Sequence, residues 1–428
     1  MVNKDFDLVI FGATSFVGKI LCEYLVGEHL EPNLSWAMAA RSQSKLDALK
    51  QELGPNAASI PLIVADSFDT EALQTLCAQT HVVISTVGPY ALYGEELIKV
   101  CAESGTDYCD LTGEAQWIRR MIAEYSETAK ASGARIVNCC GFDSIPSDLG
   151  VKFLQQHAHS NFGNYCNTVT MRVKATKGGA SGGTIASAIN IYKEAASNPE
   201  LRKELQDYYS LCPDEHGNEV KQRTVNLEYD EDFKSWAGPF IMEGINTRVV
   251  LRSNAIAESK YAEQFEYNEA TLTADGSEGE KKAKRLAQFS RIGTVFLAIA
   301  PLRAIITTFF LPKPGEGPSP EEQNAGFFDL RFCGKTINGE EVRVKVTGDR
   351  DPGYGSSAKM LAQAGISLRR DVDKGEVAGG FWTPATVYGD RLIERLQSFA
   401  GLTFELQSVS KAELMNTDEV DDEVDDEG

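Results

Sequence analysis

Histidine is scarce: five residues in 428, none at a metal-ligand spacing. His157 and His159 lie close together near a predicted helix end and read as surface residues rather than ligands. Nine cysteines are scattered without a Cys-x-x-Cys pair, and their odd total fits reduced thiols in a cytoplasmic protein. Cys139 and Cys140 fall in a strand-like run, where alternation sends their side chains to opposite faces and argues against a disulfide. Base is also short, with 42 Lys and Arg against 62 Asp and Glu, a net charge of −20. The stretch 417–428 (TDEVDDEVDDEG) holds eight acids and no base, so the body carries about −12. Such a balance cannot neutralise phosphates and excludes a nucleic-acid role; the tail reads as a solvated, disordered end. The N-terminus runs straight into a strand, which predicts no signal peptide.

A clean spanning segment is missing too. The most apolar stretch, 289–311 (FSRIGTVFLAIAPLRAIITTFFL), is cut by Arg291, Pro301 and Arg303 and follows the basic cluster Lys281, Lys282, Lys284 and Arg285. A span needs about 20 residues with few charges. Three readings stay open: an interfacial or re-entrant contact with an anionic membrane, a buried core or dimer-interface pair, or a full span.

What is present is a rhythm. Strand-like runs at 7–11, 35–40, 61–65, 82–86, 106–110 and 135–139 alternate with helical stretches at 16–26, 44–53, 70–78, 95–104 and 115–132. Six short apolar strands with five intervening helices predict an α/β fold, a Rossmann doubly wound parallel sheet. After Gly141 the rhythm changes. Ser144-Ile-Pro146 reads as a helix start. Longer alternating runs at 168–175, 247–252, 261–273, 327–333 and 342–347 predict antiparallel strands of a second, α+β domain. The expected division is 1–143 for the Rossmann domain and 144–378 for a substrate or dimerisation domain holding 289–311. A helix and strand at 379–406 return to the first domain, and 407–428 form the tail.

The sharpest motif is Gly12-Ala13-Thr14-Ser15-Phe16-Val17-Gly18, directly after the first strand. Gly12 permits the tight turn, Gly18 lets the helix pack close, and the helix N-terminus offers N–H groups to a pyrophosphate. Ser15 stands where glycine is common and could itself donate to phosphate. The second strand ends in Arg41-Ser42, with Lys45 one turn on and no acid before Asp47. An acid there would hold the ribose of NAD; Arg41, Ser42 and Lys45 instead suit the 2′-phosphate of NADP(H). Asp66 ends the third strand near the expected adenine. Thr86-Val87-Gly88-Pro89 ends the fourth near the nicotinamide, with Tyr90, Tyr93 and Asp110 as candidate proton donors. No metal site is expected.

The pieces GATSFVG, AAR, STVGPY, CDLTGE and GFDSIPSDLG, followed by SGGT (181–184), GDRDPGY (348–354) and GG-x-x-TPA (379–385), resemble the saccharopine dehydrogenase-like oxidoreductases over about residues 6–406. The branch concerned includes the trans-acting enoyl reductases and a lipid-droplet protein. The resemblance implies a second domain of saccharopine-reductase type, an NADP-type cofactor, a homodimer through the second sheet, and a link to lipid or glycolipid metabolism. The first expectation is therefore NADPH-dependent reduction of a C=C or C=O bond on a small-molecule or lipid-like substrate. A saccharopine-type amino-acid dehydrogenase is the alternative, needing cations such as Arg172, Arg248 and Arg252 in the cleft. A non-catalytic NADP-binding scaffold at a membrane is the third.

Overall fold

The structure, a computed structural model, describes residues 4–27, 31–178, 182–257, 261–299, 301 and 317–411. Most of the second half of the apolar stretch, part of the glycine loop at 178–184, and the acidic tail from 412 lie outside them.

Among the described residues, fourteen strands form two sheets. β1 (Phe6–Phe11), β2 (Trp36–Ala40), β3 (Leu62–Val64), β4 (Thr80–Ser85), β5 (Asp107–Asp110) and β6 (Arg135–Val137) come first. β7 (Thr168–Lys177), β8 (Glu228–Asp230), β9 (Ser235–Gly238), β10 (Glu266–Leu272), β11 (Phe327–Lys335) and β12 (Glu341–Gly348) follow, and β13 (Gly380–Trp382) and β14 (Leu402–Ser410) close the chain. The first sheet runs β13-β6-β5-β4-β1-β2-β3 with every pair parallel, the doubly wound arrangement. Its central strands are buried on both faces, so β1 alternates between two cores: Leu8 and Ile10 feed one, Val9 and Phe11 the other. Cys139 and Cys140 divide between the same two cores.

The second sheet runs β14-β12-β11-β7-β10-β9-β8. Its central strands β7 and β10 are buried on both faces, and its outer strands on one. In β12, Val342, Val344 and Val346 point inward, while Glu341, Arg343, Lys345 and Thr347 alternate with them at the partly exposed face. The expected all-antiparallel sheet is in fact mixed, because β7 and β10 pair in parallel. The expected strand at 247–252 is the middle of the helix Glu243–Ile256, whose residues from Ile245 to Asn254 are all buried. A run whose polar and apolar residues are buried alike carries no period to separate helix from strand.

Four expectations about the chain's return are also corrected. The helix Gly355–Arg370, placed by sequence in the second domain, packs across β1, β4 and β5 and against the helix Phe16–Gly27. Of the segment 379–406, β13 does join the first sheet beside β6, but β14 pairs with β12 in the second. That strand continues to Ser410, past the expected start of the tail at 407. The helical stretch after Thr383 is broken into Pro384–Val387 and Asp390–Phe399 at Gly389, whose φ is 58°.

The returning helix is pinned by a buried cation. Arg135 donates from Nε and Nη2 to Asp107, from Nη1 to the Val372 carbonyl and from Nη2 to that of Leu368. Both members of the pair are 3 % exposed. Removing Arg135 leaves the buried Asp107 with only the more exposed Lys374, 3.2 Å away, as a cationic partner. Arg135→Ala should therefore cost about 3–5 kcal/mol, read as a lowered urea midpoint.

Candidate functional site

The cofactor-type residues gather at the carboxyl edge of β1, β2 and β4. Gly12 has φ 89°, and a β-carbon there would stand 2.6 Å from Val87 and 2.8 Å from the Thr86 hydroxyl. At Gly18 it would stand 2.2 Å from the Gly12 carbonyl. Both positions therefore require glycine on contact grounds, and Gly12 also on backbone grounds. The N–H groups of Phe16 and Val17, in the first turn of the helix Phe16–Gly27, meet no acceptor among the described residues, the arrangement that suits an anion.

Ser15 fastens this turn. Its Oγ accepts from the Gly18 N–H at 2.9 Å and lies 2.9 Å from Thr86 Oγ, which itself reaches the Gly12 carbonyl at 2.9 Å. With Thr86 donating to Gly12, the Ser15 proton goes to Thr86, not to a phosphate as the sequence suggested. The serine replaces a glycine's freedom with a bond to β4.

Arg41 and Lys45 are exposed and have no ion pair among the described residues. Ser42 caps the helix Gln43–Glu52, accepting from the Lys45 N–H, and Asp47 is engaged by Gln43. Two cations without an ion pair, and no free acid, thus stand at the carboxyl end of β2. Asp66 forms a local turn with Phe68 N–H, and the cap of the helix Thr70–Gln79 is Asp69.

The three candidate proton donors fare differently. Tyr90 is buried; its hydroxyl donates to the Ser85 carbonyl at 3.0 Å and accepts from Leu111 N–H, and burial pushes its pKa well up. Tyr93 points to the rim, where its ring meets Phe68 edge-on at 5.9 Å. Asp110 is wholly buried and takes bonds from the Tyr108 hydroxyl, the Asn138 amide and the N–H groups of Thr112 and Cys139. Its acceptor sites are spent on holding loops, although burial lifts it to about 7. None of the three is poised to give a proton to a ligand.

Asp143 is not among the candidate proton donors that the sequence offered. The helix Ile145–Phe162 starts at Ser144, whose φ is 105° and whose hydroxyl donates to Asn246 rather than to the helix. Asp143 makes no hydrogen bond or ion pair among the described residues. It is partly buried, its carboxyl lies against Gly113, and burial raises it to about 7. Its only signal in the sequence was position, at the end of the sixth strand.

The second domain closes over this edge. Phe142 packs on Phe240 and Phe328, with centroids 6.5 and 5.0 Å apart. Its N–H donates to Ser357, and Tyr354 meets Phe16 of the dinucleotide turn edge-on at 4.6 Å. GDRDPGY thus ties the start of the returning helix to the site. Arg172, Arg248 and Arg252 do not face the cleft. Arg172 is held by Asp230 and Asn268, Arg248 by Ser210 and the Gly244 and Leu205 carbonyls, Arg252 by the carbonyls of Leu211 and Phe381. The last two sit on a helix, not on strands.

A doubly wound sheet with this turn defines a dinucleotide-binding oxidoreductase. Residues 8–137 match the family described as the saccharopine dehydrogenase NADP binding domain. The chain is 35% identical over 411 residues to a trans-acting enoyl reductase of Mycobacterium tuberculosis, covering 92% of this chain and 96% of that protein. With the Mycobacterium ulcerans trans-acting enoyl reductase it shares 34% over 410 residues at the same coverage. The fold is also that of Saccharomyces cerevisiae saccharopine dehydrogenase (L-Glu forming): TM-score 0.53, 13% identity, 94% of this chain and 99% of that one. The chain belongs to the saccharopine dehydrogenase-like oxidoreductases, in the branch of the trans-acting enoyl reductases, and is an NADP-dependent enzyme.

Arg41→Asp should remove the discrimination between NADPH and NADH, weakening NADPH by roughly tenfold or more through loss of charge-assisted bonds. Fluorescence titration with both nucleotides measures it; an unchanged preference would place the 2′-phosphate elsewhere.

Proposed function

We propose that the protein reduces a C=C or C=O bond of a lipid-like substrate with NADPH, in the manner its enoyl-reductase relatives' names describe. One observation carries this reading over its rival: the three arginines the sequence offered for a substrate carboxylate, Arg172, Arg248 and Arg252, are all bound within the protein instead. The Phe142, Phe240 and Phe328 cluster beside the site suits an apolar substrate instead.

NADPH, held by the Gly12–Gly18 turn, the 86–89 edge and Arg41, supplies the hydride. Asp143 supplies the proton. Among the described residues it is the one carboxyl at the strand ends left without a partner, and raised by burial to about 7 it still carries a proton in a large fraction of molecules near neutral pH. Its presence also weighs against a non-catalytic scaffold. Thr86, Val87 and Pro89 orient the cofactor without chemistry of their own.

Among the described residues no helix is long and apolar enough to cross a membrane. Peripheral contact rests on the helix Gly276–Ala298, where Phe289, Ile292 and Val295 are 73, 52 and 46 % exposed. Lys281 and Lys284 pair with Glu278 and Glu280, leaving Lys282, Arg285 and Arg291 for anionic headgroups.

Asp143→Asn should lower turnover on enoyl or carbonyl lipids by about 10²–10⁴. The acid must be protonated to act, so wild-type turnover should fall as pH rises through about 7, and the variant should lose that limb. Full activity in the variant refutes the assignment. Flotation with phosphatidylserine liposomes should be lost in Phe289→Glu/Ile292→Glu; equal flotation of the variant, or none of the native chain, removes the membrane contact.

A further inference from the structure

Glu114 ends the loop after β5 and occupies the N-cap position of the helix Ala115–Ser132, yet makes no cap bond to it. Its side chain, fully buried, turns instead to the next loop. Oε1 accepts from the Tyr90 N–H at 2.7 Å and Oε2 from the Ala91 N–H at 3.1 Å, gripping the chain just beyond Gly88-Pro89. The third donor comes from the other domain: the Ser187 hydroxyl, 2.8 Å from Oε1. Ser187 lies on the helix Gly182–Ser197, the first helix after β7 of the second sheet.

All three donors are neutral, and no cation pairs with this carboxylate among the described residues. Glu194, about two turns further along the same helix, repels it and is itself held by Arg120 of the first domain at 3.4 Å. A buried carboxylate with so few donors depends on each of them, since losing one leaves acceptor capacity unmet in a low-dielectric site.

We propose that Glu114 is a positioning residue that locks the cofactor-facing turn 88–91 to the helix Gly182–Ser197, so that ordering of the turn by NADPH and docking of that helix are a single event. The inference rests on the cofactor placement above and is independent of the substrate. Linkage makes the coupling reciprocal: a ligand that orders the turn tightens the helix, and a helix held down favours the ligand.

The test is hydrogen exchange of residues 182–197 with and without NADPH, at concentrations shown by fluorescence to saturate each protein. In the native chain NADPH should slow exchange there by roughly tenfold. Ser187→Ala and Glu114→Gln should lose that protection, because an amide at 114 presents a donor to donors, whereas Ser187→Thr should retain it. Should Glu114→Gln fail to fold, the Ser187 pair decides alone. Failure of NADPH to bind the native chain overturns the cofactor placement and this inference with it. Binding without protection of 182–197, or protection that survives in Ser187→Ala, overturns the coupling alone.

Discussion

Four donors converge on the buried carboxylate of Asp110, and two loops owe their shape to it. Thr112 N–H bends the chain after β5; Asn138 and Cys139 bind it from the end of β6, where Cys139 is held at φ 62°. A residue without glycine's freedom keeps such a backbone only where neighbours over-determine it. The first loop leads to Glu114 and the second to Asp143. The residue thus does for the site what a core does for a domain: its own chemistry is exhausted in fixing the position of others.

The same economy governs the arginines. A guanidinium has five donors in a rigid fork, and burying one is tolerable only when they are matched. In Arg135, Arg172 and Arg252 they are spent on carboxylates and main-chain carbonyls that lie far apart in the chain. These residues join segments and leave the crevice to aromatic side chains. Two cations without an ion pair among the described residues, Arg41 and Lys45, stand at the exposed end of β2, where a phosphate could reach them without the cost of desolvation.

Much of the first sheet was legible because its strands are short, apolar and punctuated by amphipathic helices, a pattern that few folds share. The turn at Gly12–Gly18 was legible for a stricter reason: contact distances at both glycines exclude any side chain. Less could be read where burial is complete. The helix Glu243–Ile256 buries its polar and apolar residues alike and so imitated a strand, and the helix Gly355–Arg370, buried over most of its length, gave no sign of which sheet it would cover.

At the site the division is equally physical. Local spacing by itself determined the doubly wound sheet, the dinucleotide turn and the cationic end of β2, since each depends on residues within one strand–turn–helix unit. Which acids are free was decided only by tertiary structure. Asp110, Glu114 and Asp143 look alike in sequence, three acids in loops after strands; what separates them is the number of donors that distant segments bring to each. Asp110 receives four, Glu114 three and Asp143 none among the described residues. A hydrogen-bond count of that kind is a property of packing, and no pattern along the chain encodes it.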